Sequence, residues 1–166
     1  MNEELTQLIH KYYEPNDLQI RAFEWEKESI EYMASRFCLN NTKIIYRKAK
    51  QTPKKIGQFV TLWKRPDKEI CPLDEEDHFD FVIITTKKDA LLGQFIFPKS
   101  ILLEKRILST STKEGKRGFR LYPPWDIPTS TQAIKSQKWQ SNFFYDLSNL
   151  SDLAKIKVLL KSQSYK

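Results

Sequence analysis

Apolar residues recur at helical spacing over residues 1–13, as Leu5, Leu8, Ile9 and Tyr12, and predict a helix that Pro15 ends. Over 16–41 the positions Ile20, Phe23, Ile30, Met33 and Phe37 also fit a helix, capped by Asn16 and ending near Asn40 and Asn41. Glu24, Glu26, Glu28 and Glu31 fall mostly outside that stripe and read as a solvated acidic face. The pattern then changes to alternation. Residues 42–48, with Ile44, Tyr46 and Lys48, predict a strand, and so do residues 58–64, with Phe59, Val60, Leu62 and Trp63, before Pro66 breaks pairing. The short gap predicts that these two strands are antiparallel neighbours joined by a turn at 52–57. Residues 79–86, Phe-Asp-Phe-Val-Ile-Ile-Thr-Thr, are nearly continuously apolar and predict a central strand buried on both faces.

Residues 87–92 read as a connection with room for one helical turn, and 93–98 as a short strand. The apolar positions Ile101, Leu102, Leu103, Ile107 and Leu108 suit a helical turn or a further strand, and both remain open. Residues 109–118 are polar and predict an exposed loop, followed by a strand at 119–122 and a rigid turn through Pro123, Pro124 and Pro128. Thr129 or Ser130 caps a predicted helix to about Tyr145, with Ile134, Trp139, Phe143 and Phe144 as its stripe, and a last helix covers 150–160. There is no internal repeat. The order predicts a mixed α/β (α+β) fold in one domain over 1–166, a single mixed or mostly antiparallel sheet flanked by N- and C-terminal helices.

Composition narrows the class. The 40% hydrophobic and 13% aromatic content suit a globular chain rather than a disordered one. A net charge of +7 favours an anionic partner, nucleic acid first and a phosphorylated small molecule or membrane surface second. The charge is blocked: residues 41–66 carry eight Lys or Arg and no acid, 67–80 carry seven acids and one base, and 86–120 carry nine bases and three acids. Two basic blocks around an acidic one suggest a binding face beside a repelling edge. Cys38 and Cys71, without CxxC spacing, suit a reducing cytoplasm, and with only His10 and His78 a structural zinc site is not expected. The start is charged and lacks a signal-like apolar region, and no run reaches the length of a membrane span, so a soluble cytoplasmic protein with no resident cofactor is expected.

The candidate chemistry centres on the turn at 52–57. Thr52 and Pro53 read as the cap and first position of a one-turn helix and Gly57 as its stop. Such a start would point the Lys54 and Lys55 amides outward as an anion seat. The plainer reading is a basic hairpin whose charges only keep it soluble. Lys48, Lys50, Lys54, Lys55, Lys64 and Arg65 would meet phosphates, with Lys99, Lys116, Arg117 and Arg120 extending the face. Trp63, Tyr122, Trp125 and Trp139 offer faces for stacking bases, or serve as core. Gln58, Gln94, Gln137 and Gln140 can read base edges, or bridge backbone groups in the interior. Parity puts Gln58, Val60, Leu62 and Lys64 on one half-buried strand face, which favours Gln58 and Gln94 as residues of a cleft floor.

Four phrases are more specific than composition: residues 52–65 (TPKKIGQFVTLWKR), 93–99 (GQFIFPK), 115–126 (GKRGFRLYPPWD) and 137–140 (QKWQ). Together they resemble the MepB family of small bacterial proteins, from about Glu28 to about Tyr145. The resemblance implies a restriction-endonuclease-like fold and a gene often found beside multidrug efflux pumps. It implies no defined biochemical role. A nuclease of that fold needs two acids on adjacent strands and a lysine two residues after the second. Asp80 suits the first position, but Gln94 stands at the second, Ile96 replaces the lysine, and Lys99 is out of register beyond a proline. Glu31 or Glu28 would have to help. The leading expectation is therefore a non-catalytic nucleic-acid-binding protein. The alternatives are a metal-dependent nuclease using Asp80, Glu31 and Mg, and a pocket for a nucleotide or other phosphorylated ligand.

Overall fold

The computed structural model describes residues 1–162; positions 163–166 of the expected 1–166 unit lie outside them. The chain opens with helix α1 (Glu3–Leu8), whose cap Asn2 accepts the Leu5 N–H at 2.9 Å. A π-helical turn, Ile9–Tyr13, and a 3-10 turn, Glu14–Asn16, extend it to the proline. The predicted helix over 16–41 is absent. Strand β1 (Ile20–Trp25), a 3-10 turn and strand β2 (Ser35–Leu39) stand there instead. Ala22, Ser29, Met33 and Asn40 all adopt left-handed backbone angles that no continuous helix tolerates. Ser35, Phe37 and Leu39 alternate into the core, so the period in that stretch is two.

Asn40 and Asn41 form the hairpin turn into β3 (Thr42–Lys48). Next come β4 (Lys50–Gln51), β5 (Gln58–Thr61), β6 (Trp63–Lys64), β7 (Cys71–Pro72), β8 (Phe81–Lys88) and β9 (Leu91–Pro98). Helix α2 (Lys99–Glu104) decides the open reading of 100–108 for a helical turn. Strand β10 (Gly118–Leu121), helix α3 (Thr131–Gln140), strand β11 (Phe144–Asp146) and helix α4 (Leu150–Ser162) complete the described chain. Two expectations shorten. The 87–92 connection is a tight β8–β9 hairpin with Asp89 left-handed, and α3 ends at Gln140. Phe144–Asp146 leaves the helix to pair with β9; Phe144 packs on Phe95, and Phe143 just before the strand packs on Phe97.

The main sheet has six strands in the order β1-β2-β3-β8-β9-β11, antiparallel except for the β3–β8 pair. This is the expected mixed α/β class, with two small sheets added, β10-β5-β4 and β6-β7. The expected β3–β5 pairing does not occur. Ile44, Ile45 and Tyr46 are all buried, so β3 takes a central place with β2 and β8 on its sides. The hairpin over 52–57 is built by β4, where Lys50 pairs with Phe59 and Gln51 with Gln58.

Alternation along the central strands divides the interior. Ile44, Tyr46, Phe81, Ile83 and Ile96 face a core closed by α1 and α4. Ile45, Val82, Ile84, Phe95 and Phe97 face a second core under β5, α2, β10 and α3. Each face buries large side chains, worth roughly 1.5–3 kcal/mol apiece when fully removed from water. Among the described residues no helix is long and apolar enough to cross a membrane.

Candidate functional site

The 52–57 turn is not helical. Thr52 Oγ1 reaches the Lys55 carbonyl at 3.4 Å, and the backbone turns without a helical ladder. The predicted helix-start seat for an anion is therefore absent. Pro53 still bends the chain, but Gly57, with φ 91°, lets β5 begin at once. A Cβ on Gly57 would lie 2.7 Å from the Leu121 carbonyl and 2.9 Å from the Tyr122 ring, so only glycine fits. Arg120 clamps the turn from β10. Its guanidinium donates to Thr52 Oγ1, to the Ile56 carbonyl at 3.3 Å and to the Gly57 carbonyl at 3.4 Å. These acceptors are neutral, so the arginine's charge stays uncompensated.

Lys54 and Lys55 project from the turn and are exposed. Lys55 borders three depressions. One, of about 480 Å³, lies between β10 and α3 and is lined by Lys55, Lys105, Lys116 and Arg120 with Phe59, Tyr122, Gln132 and Trp139. A second, of about 290 Å³, lies against the start of α3, with Lys54, Lys55, Arg120, Thr129 and Ser130. A third, of about 480 Å³, lies on the other side of the turn and includes Gln58, Lys88, Trp125 and Asp126. No carboxylate lines the first two. Ser130 caps α3, accepting the Ala133 N–H at 3.1 Å, and the first turn of that helix holds no acid. Three depressions thus surround one exposed turn and make up the candidate groove. In the two that border α3 no lining carboxylate cancels the basic field, which is the condition for attracting an anion.

Two glutamines hold the groove wall in place. Gln140 is buried; its Oε1 accepts the Tyr122 N–H at 2.8 Å and its Nε2 donates to the Arg120 carbonyl at 3.0 Å. Gln137 Nε2 donates to the Pro123 and Asp126 carbonyls at 3.0 and 2.8 Å. Both are the interior-bridging case. Trp139 is half-buried, packs on Phe97 and carries Lys105 over its ring at 5.4 Å.

Several predicted phosphate contacts lie elsewhere and are occupied. Lys48 pairs with Glu4 on the α1 side. Lys64 pairs with Asp74 at 2.8 Å and Asp77 at 2.9 Å; burial alone would pull its ammonium down, but these carboxylates hold it above its ordinary range. Arg65 grips Glu28 and lies over Trp63, and Arg117 pairs with Glu114. Lys99 donates to the Glu75 and Asp77 carbonyls, which ties the acidic loop to α2. Lys50 lies over the Tyr32 ring at 5.2 Å, beside the small sheet. Gln94 does not share a cleft with Gln58. It is enclosed on the α1 face, where Tyr13 donates to its Oε1 at 3.0 Å and its Nε2 donates to Thr85. Burial pushes the Tyr13 and Tyr46 phenols above their ordinary range.

The acids of the nuclease alternative do not converge. Asp80 stands at the start of β8, where its carboxylate accepts the Lys43 N–H at 2.8 Å. Glu31 lies just before β2, whose Ser35 pairs with Tyr46 toward the far end of β3. Among the described residues no group of three or more His, Cys, Asp or Glu could hold a metal ion.

The MepB-like family profile matches residues 26–146. The chain belongs to the MepB-like family. A solved structure described as "Crystal Structure of MepB" is similar to it at 32% identity and a TM-score of 0.77, over 88% of this chain and 97% of that one. Among curated proteins none matches. The matched region of this MepB-like chain spans both walls of the groove, from the 52–57 turn to α3. Lys88, Lys105, Gln132 and Ser136 were not among the expected site residues. Only the basic block over 86–120 signalled the two lysines, and Gln132 and Ser136 follow from the helical face that α3 presents to β10.

Proposed function

We propose that this MepB-like protein binds nucleic acid along the groove around the 52–57 turn. The observation that carries the reading is the clustering of Lys54, Lys55, Lys105, Lys116 and Arg120, none of them ion-paired among the described residues, beside half-buried Tyr122 and Trp139. The contrast with Lys48, Lys64, Arg65 and Arg117, each held by a carboxylate, supports a role for the unpaired set outside the fold. Unpaired cations neutralise phosphates and release counterions, which supplies affinity without reading sequence. Tyr122 offers a ring on which an unstacked base can rest, while the Trp139 ring is covered by Phe97 and Lys105 and forms the wall. The restriction-endonuclease-like fold that the family resemblance implies is compatible with a nucleic-acid partner, but fold alone does not assign one. The cytoplasm is the compartment in which such a partner is met.

Fluorescence anisotropy with labelled single- and double-stranded oligonucleotides at two salt concentrations tests the proposal. Binding that weakens steeply with salt is expected. Absence of binding at low salt, or binding indifferent to salt, overturns it.

A further inference from the structure

Among the described residues, two buried side-chain polar atoms lack a hydrogen-bond partner: Gln58 Oε1 and Trp125 Nε1. Both residues line the same cavity of about 480 Å³. One atom is an acceptor and the other a donor. Neither can turn away easily. Gln58 is 1% exposed, and its Nε2 donates to the Lys87 carbonyl at 3.2 Å. Flipping the amide would set its oxygen against that carbonyl. Trp125 packs edge-on against Phe144, with ring centroids 5.5 Å apart. The turn that carries it is pinned to α3 by Gln137. Buried polar atoms are nearly always paired, and the exceptions ask for an explanation.

We infer that this cavity takes the base of a nucleotide, whose polar edge pairs with Gln58 Oε1 and Trp125 Nε1 among the lining residues. Every nucleobase carries a donor and an acceptor on its edge, the two kinds of group that Gln58 Oε1 and Trp125 Nε1 lack. The volume lies in the range of small-molecule sites. The rim supplies the rest of a nucleotide's needs. Ile127 is 80% exposed there and offers an apolar cover for a flat ring. Asp126 is the one acid in the lining and is neutralised by Lys88 at 3.5 Å, which leaves Lys54 and Lys55 for a phosphate. The inference rests on the groove reading only for that phosphate end, since the same two lysines border the groove. The base end stands on its own atoms, and a strand lying in the groove could turn one base into it.

Calorimetric titration of the full chain with AMP, GMP, CMP and UMP tests this, with ribose 5-phosphate as the control lacking a base. At least one mononucleotide is expected to bind about tenfold or more tighter than ribose 5-phosphate, as two buried hydrogen bonds allow. Trp125→Phe removes the donor and Gln58→Met the acceptor. Each variant, confirmed as folded by circular dichroism, is expected to weaken that mononucleotide about five- to tenfold and leave ribose 5-phosphate unchanged. Equal binding of ribose 5-phosphate, no mononucleotide binding, or unchanged affinity in both variants overturns the inference, and ordered water then satisfies the two atoms. Oligonucleotide anisotropy on the same proteins separates the readings. Oligonucleotide binding without mononucleotide binding sinks the base pocket and spares the groove. Mononucleotide binding without oligonucleotide binding sustains the pocket and sinks the groove.

Discussion

The two faces of the main sheet differ in what they leave unmatched. On the α1 and α4 face, Tyr13, Gln94, Thr85 and Tyr46 form a closed chain of buried hydrogen bonds, and Lys48 is matched by Glu4. On the opposite face, beyond the second core, cations around the 52–57 turn go unmatched, and Gln58 and Trp125 each keep one buried atom without a partner. A polar group that is buried and satisfied holds a fold together. One that is left unsatisfied costs stability unless water or a ligand meets it. The comparison sets a face whose polar groups are matched within the fold against one with unmatched cations, where the binding proposed above would fall.

The largest expected effect breaks the proposed binding face from beneath. Phe97 is fully buried and packs against Phe95, Phe119, Trp139 and Phe143, under the floor of the groove. Phe97→Ala should cost about 3–5 kcal/mol of stability. Denaturant unfolding checks it, and the loosened Trp139 should weaken oligonucleotide binding in parallel. The satisfied face responds differently. Gln94→Leu strands the Tyr13 hydroxyl and should cost about 1–3 kcal/mol. Where the variant is folded, oligonucleotide affinity should be unchanged. A loss of affinity there would mean that the two faces are not separate in function.

A smaller effect follows from the acidic loop. The hydrogen bond from Lys64 holds the Asp74 carboxyl below the usual carboxylate range, helped by the backbone N–H groups of Glu76 and Asp77 and opposed by partial burial. A carboxyl depressed in the folded state contributes stability that is in place above about pH 4, the value for the unfolded chain. That contribution is lost as pH falls through the depressed folded value. Denaturant unfolding across the acid range should show the decline, and Asp74→Asn should flatten it. An unchanged acid limb in the variant would place the titration elsewhere.

What the sequence disclosed follows the same division. The central strand at 79–86 was legible because its apolar run needs two covered faces, and the structure supplies two cores. The helix expected over 16–41 failed because left-handed residues such as Ala22 and Met33 leave no mark on apolar spacing. At the candidate site, the charge blocks contain Lys54, Lys55, Lys116 and Arg120, which the fold brings to neighbouring depressions. They did not show that Lys48, Lys64 and Arg65 would be claimed by Glu4, Asp74 and Glu28, since partners as distant as Glu4 and Lys48 meet only after folding. The pairing of Gln58 with Trp125 across one cavity was equally out of reach, because it depends on which end of an amide another strand's carbonyl accepts.

The central claim is that the unpaired lysines of the turn, and not the paired ones, meet phosphate. The most direct test compares Lys54→Ala/Lys55→Ala with Lys48→Ala/Lys64→Ala and follows oligonucleotide affinity against salt. Removing two phosphate contacts should lower the slope of log K against log salt by about 1.8 for duplex or about 1.4 for single strands. The control pair should leave the slope unchanged while losing stability through its stranded carboxylates. A folded Lys54→Ala/Lys55→Ala protein with an unchanged slope would contradict the account, and so would a control pair that carries the loss.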